Sequence, residues 1–67
     1  MTTNVINHVF ELRTQKGVTQ EELADAVGVT RQTIIAIEKG NYTPSVLLAI
    51  NIAQFFESSV EKIFVVK

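Results

Sequence analysis

The chain contains no cysteine, so neither a disulfide nor a thiolate metal site can hold the fold together, and a reducing compartment suits it. No stretch approaches the ~18 consecutive apolar residues a membrane span requires, and the N-terminus MTTNVINHVF lacks the basic start of a secretory signal. A cytoplasmic location is therefore expected. Glycine is scarce and proline occurs once, and no linker, repeat or low-complexity run divides the chain. The sequence has no glycine-rich phosphate loop. Its single histidine, His8, stands on a surface-facing position of the first helix without an acidic or thiol cluster beside it. With too little chain to enclose a substrate pocket, an enzyme is not expected, and nothing calls for a cofactor, a metal or a small-molecule ligand.

Positive charge is scarce as well. Six lysines and arginines against seven acids give a formal net charge of -1, whereas a clearly basic surface is the common footprint of a nucleic-acid binder. An apolar fraction of 46% with 19% charged residues is globular, and residues 1–67 are read as one small domain. A core of this size is marginal alone. With disulfides and metals unavailable, oligomerisation is the remaining staple.

Five helices are expected. The first covers roughly Asn4 to Lys16, with Ile6, Val9, Phe10 and Leu12 as its apolar stripe and Gly17 as its stop. The fourth follows a turn from Asn41 to Pro44, is capped by Ser45 and runs to about Phe56. Its core side is Leu48, Ala49, Ile52, Ala53 and Phe56, while Leu47 and Ile50 point partly outward. Glu57 stands where a glycine would end that helix easily. A short fifth helix covers about Val60 to Ile63.

The most informative stretch is TQEELADAVGVTRQTIIAIEKG, residues 19 to 40. Thr19 followed by Glu22 makes a capping box, Leu23, Ala24 and Val27 form a buried side, and Gly28 suits the left-handed exit from one helix into a second capped by Thr30. This is a helix-turn-helix, the motif that lays its second helix in a DNA major groove. On a helical wheel Ile34, Ile37 and Glu38 share one side of that second helix, and Gln32, Ile35, Ala36 and Lys39 the other, with Arg31 at the exposed start. Arg and Gln can donate in pairs to base edges, and the apolar surface that follows suits a thymine methyl. A merely solvated amphipathic face is the bland alternative. The ordered spacing of cap, small residue, glycine, cap and buried isoleucine argues against it.

From Val5 to Phe64 the sequence resembles the Cro and phage-repressor (xenobiotic-response-element) family of transcriptional regulators. The resemblance is carried by Leu12-Arg13, by residues 17–24, by residues 28–34, by Ile37-Glu38-Lys39-Gly40 and by Tyr42-Thr43-Pro44-Ser45. It implies an all-α, five-helix DNA-binding domain with the motif at 19–40, and a short pairing of terminal strands at about 2–4 and 64–66, with Thr2 and Thr3 on the N-terminal side. It also implies that Gln20 binds a phosphate, that Arg31, Gln32 and Ala36 face bases, and that Thr33 touches base or backbone. Lys39, Asn41 and Tyr42 match the loop that grips phosphates in relatives. Arg13 and Glu38 match a buried ion pair between the first helix and the recognition helix. Relatives usually carry a polar residue where Leu47 stands and a glycine where Glu57 stands.

The tail Ile63-Phe64-Val65-Val66 is β-branched and aromatic, and reads as a strand. With Leu47 and the fifth helix, Phe64, Val65 and Val66 are the expected homodimer interface. The expected function is a transcriptional regulator, a repressor, that binds double-stranded DNA at a palindromic operator. The alternative is an antitoxin or other protein-interaction module. Antitoxins of this type usually append a partner-binding segment, and this chain ends almost as soon as the domain does, which favours a plain regulator.

Overall fold

The computed structural model describes residues 5–66. Two three-residue strands flank five helices: β1 (Val5–Asn7), α1 (Val9–Lys16), α2 (Gln20–Val27), α3 (Arg31–Glu38), α4 (Val46–Phe55), α5 (Val60–Ile63) and β2 (Phe64–Val66). The fold is mostly helical, with a two-stranded antiparallel sheet.

The central helices begin where the sequence supplies side-chain caps. Thr19 Oγ1 accepts the Glu22 N–H at 3.0 Å and Glu22 Oε1 accepts the Thr19 N–H at 2.8 Å, so two otherwise orphaned donors at the start of α2 are satisfied reciprocally. Thr30 and Ser45 cap α3 and α4 one way only, their side-chain oxygens accepting the N–H groups of Thr33 and Leu48. Gly28, at φ 78°, provides the left-handed turn that sends the chain from α2 into α3.

The core is built by the faces these helices turn inward. Val9, Leu23, Ile34, Ile37, Ile52 and Ile63 are fully buried, and Ala24, Val27, Leu48 and Ala53 complete the cluster. Leu12, Phe56 and Phe64 pack against it from the edge. Small Ala24 lets α2 and α3 approach closely.

The N-terminus departs from the expected helix. Val5, Ile6 and Asn7 are strand, paired Val5↔Val66, Ile6↔Val65 and Asn7↔Phe64, and α1 begins only at Val9. Asn7 supports the switch from just outside the helix: its Oδ1 accepts the Val9 N–H at 3.2 Å, satisfying one orphaned donor of the first turn, while the N-cap residue itself is His8, whose side chain makes no capping bond. The expected strand at 2–4, with Thr2 and Thr3, lies outside the described residues. Phe10, assigned above to the core stripe, is 53% exposed. Beginning the helix at Val9 leaves Val9 and Leu12 facing inward, and the Phe10 ring lies under the Arg13 guanidinium, 5.4 Å from its centroid.

At the end of α4, Glu57 takes φ 54°. The Ser58 N–H reaches the Ala53 carbonyl at 2.9 Å and the Glu57 N–H reaches that of Gln54 at 3.1 Å, the double closure that usually employs glycine. A side chain in the left-handed region costs roughly 1–2 kcal/mol, partly offset by the greater unfolded-state freedom of glycine. Glu57→Gly is therefore expected to stabilise the domain by about 0.5–1 kcal/mol and raise Tm by about 2–8 °C. A lower Tm in a thermal melt would mean that the Glu57 side chain supports the turn.

Candidate nucleic-acid interface

The candidate recognition surface is the side of α3 left over once Ile34 and Ile37 are buried. Arg31 and Gln32 are exposed at its start, Thr33, Ile35 and Ala36 are half-buried along it, and Lys39 is exposed at its end. The face thus begins with two long donor side chains and becomes small and apolar, an arrangement able to read base edges near the helix start and a methyl group farther on. The Thr33 hydroxyl is turned back to Thr30, with 3.1 Å between the two oxygens.

Gln20 and Arg31 meet around one open cleft, together with Arg13, residues 17–19 and Glu21. The free N–H groups of the first turn of α2 lie at this cleft, and the partial positive charge of a helix start favours a phosphate. Glu21, not singled out from the sequence, places a carboxylate on the same rim. Tyr42 and Thr33 line a second groove with residues 27–29, Ser45, Leu47, Leu48 and Asn51. Asn41 is exposed and Tyr42 is 47% exposed. Between residues 19 and 42 the only cations are Arg31 and Lys39, so the neutral donors of Gln20, Asn41, Tyr42 and the backbone carry a large share of any phosphate binding.

Behind this surface α3 is braced by charge. Arg13 Nε donates to Glu38 Oε2 at 2.7 Å and Arg13 Nη2 to Glu38 Oε1 at 3.3 Å. The two side chains are only 12% and 7% exposed. Arg13 Nη1 also donates to the Val18 carbonyl at 3.0 Å. Gln20 Nε2 donates to Glu38 Oε1 at 3.1 Å, a contact the sequence reading did not anticipate. The side chain expected to hold a phosphate is thus oriented by the carboxylate that braces the recognition helix, and its second N–H and its carbonyl remain for other partners.

The tail and α4 present apolar surface elsewhere. Val5, Val46, Ala49, Val60, Phe64 and Val66, with Thr43 and Pro44, line a groove of about 280 Å³. Alternation along the strands puts Ile6 and Val65 on the opposite side of the sheet. Leu47, although 70% exposed, belongs to the groove beside Tyr42 and is not brought together with the tail. The exposed Glu11 carboxyl lies beside the His8 ring, 3.5 Å from it. A backbone hydrogen bond first, and the His8 ring second, hold this carboxyl below the usual range. It sits in the first turn of α1 and lines neither the cleft nor the two grooves. No helix among the described residues is long and apolar enough to cross a membrane.

The helix-turn-helix family model matches residues 9–63. Over 58 residues the chain is 53% identical to the HTH-type transcriptional regulator YgzD of Bacillus subtilis (strain 168), covering 87% of this chain and 88% of that one. It is 35% identical over 48 residues to the cryptic phage CTXphi transcriptional repressor RstR of Vibrio cholerae, covering 72% of this chain and 43% of the repressor. Among solved structures, the restriction-modification controller protein C.AhdI of Aeromonas hydrophila superposes with a TM-score of 0.76 at 29% identity, covering 82% of this chain and 83% of that protein.

Proposed function

Because the chain belongs to the helix-turn-helix family of Cro/phage-repressor-type transcriptional regulators, we propose that it acts as a repressor, binding a palindromic operator as a homodimer with α3 in the major groove. The observation that carries this reading is the recognition face itself: Arg31 and Gln32 exposed at the start of a helix whose opposite side, Ile34 and Ile37, is wholly buried. In this reading Arg31, Gln32, Thr33 and Ala36 meet bases, while Gln20, Lys39, Asn41 and Tyr42 hold phosphates. Two-fold symmetry places two such helices about 34 Å apart, on half-sites one helical turn apart.

The apolar groove at the terminal sheet, with Val66 68% and Val46 77% exposed, supports a second copy of the chain as its cover. Phe64 and Val66 contribute from inside that groove and Val65 from the other face of the sheet. The expected location is the cytoplasm, where a regulator of this kind would meet its operator DNA. Selection of bound sequences from random duplex DNA tests the proposal. A palindrome with half-sites one turn apart is the expected product. An unsymmetrical site, or none, would favour the reading as a toxin-binding or other interaction module.

The two kinds of contact should fail differently. Gln32→Ala is expected to cost about 1–3 kcal/mol on the operator and little on unrelated DNA, whereas Lys39→Ala weakens all sequences alike and lowers the salt slope by about 1 per subunit. With Lys39, and at most Arg31 beside it, as the cations near phosphates in each subunit, the slope of log K against log salt for the dimer should be near -2 to -4. Titration of operator and scrambled duplexes at several salt concentrations measures both.

A further inference from the structure

The side chain of Asn7 makes two hydrogen bonds that lead in different directions. Its Oδ1 accepts the Val9 N–H at 3.2 Å, and its Nδ2 donates to the carbonyl of Ile37 at 2.7 Å. Ile37 is in the last turn of α3, where carbonyls have no partner further along the helix. The Gly40 N–H takes the other side of the same oxygen at 2.9 Å, so both of its acceptor positions are filled. Asn7 is itself in β1, paired with Phe64 of β2, and the next residue continues the link through the His8 N–H to the Ile63 carbonyl at 2.9 Å. A single side chain therefore joins the terminal sheet to the recognition helix across thirty positions of sequence.

We infer that Asn7 is a positioning residue that fixes the angle of α3 relative to the terminal sheet, and hence the separation of the two recognition helices in the dimer. This rests on the reading of the sheet region as the dimer face. The brace formed by Arg13 and Gln20 ties the end of α3 to α1 and α2, inside one subunit. Asn7 ties it to the sheet, and so to the partner. Loss of the Asn7 bond should leave each subunit's reading face intact while the relative placement of the two faces becomes less defined. Misplaced donors lose affinity only where both half-sites must be engaged at once, because linked binding depends on geometry.

The test uses Asn7→Asp, which keeps the acceptor for the Val9 N–H and removes the donor to Ile37. Affinities are measured for the selected palindrome, for an isolated half-site duplex at low salt, and for palindromes with one base pair inserted or removed between half-sites. The expected result is a loss of about tenfold or more on the palindrome with half-site affinity within about twofold, and weaker discrimination between the spacings. Equal losses on palindrome and half-site, or no loss on either from a folded variant, would overturn the inference. If Asn7→Asp does not fold, Asn7→Ser is scored by the same two criteria. Failure of the dimeric reading is recognised separately, since the unsubstituted chain would then select no palindrome.

Discussion

Glu38→Ala should leave the chain mostly unfolded at room temperature, through a loss of about 3–5 kcal/mol. The carboxylate accepts three donors, two from Arg13 and one from Gln20, and its removal strands a guanidinium that is only 12% exposed. A single small core rarely supplies more than about 3–5 kcal/mol in total, so the loss is comparable with the whole stability. The drop in Tm should be about 15 °C or more, read from the helical circular dichroism signal. The double substitution Arg13→Met with Glu38→Leu should be far milder, since it removes both charges and leaves apolar volume in their place. A Glu38→Ala variant melting within about 5 °C of the unsubstituted chain would show that the pair is not a support of the fold.

Val66→Asp has the largest expected effect on DNA binding. Val66 lines the apolar groove and is 68% exposed, so a carboxylate there meets water in one subunit alone and desolvation only on association. If two copies join at this face, the variant sediments as a monomer at micromolar concentration and keeps its helical signal. Its affinity for the palindrome then falls by about 10²–10⁴, because each half-site must be bound without the effective concentration a linked subunit provides. A variant that remains dimeric would move the interface elsewhere. Leu47→Asp is the informative companion, since Leu47 belongs to the groove beside Tyr42 and not to the sheet.

The parts of this fold that the sequence reveals are those decided within a few residues. The Thr19–Glu22 box, Gly28, Thr30 and the spacing of Ile34 and Ile37 all act locally, and α2, the turn and α3 follow from them. The first residues are different. Ile6, Val9 and Phe10 fall at helical spacing, yet Val5 and Ile6 form strand because their partners Val65 and Val66 arrive from the other end of the chain, a preference that no window around position 6 contains. Asn7 before an amphipathic run was the available signal for a later helix start, since an asparagine side chain readily accepts the backbone N–H two residues on. Its second bond, to Ile37, had no local trace. The candidate interface divides in the same manner. The exposure of Arg31, Gln32 and Lys39 follows from the period of α3, whereas the link between Gln20 and Glu38 and the separation of Leu47 from the tail depend on how helices pack.

The pairing of Val5 with Val66 closes almost the entire chain into a loop. Closure of so long a loop is entropically costly and is repaid here by only two three-residue strands. During folding the helices, whose contacts are mostly between sequence neighbours, form first, and the sheet seals last. In a subunit without its partner the same region should open most readily, so that the amides of β1 and β2 are expected to exchange with solvent well before those of α2 and α3, and to slow once a second copy covers them.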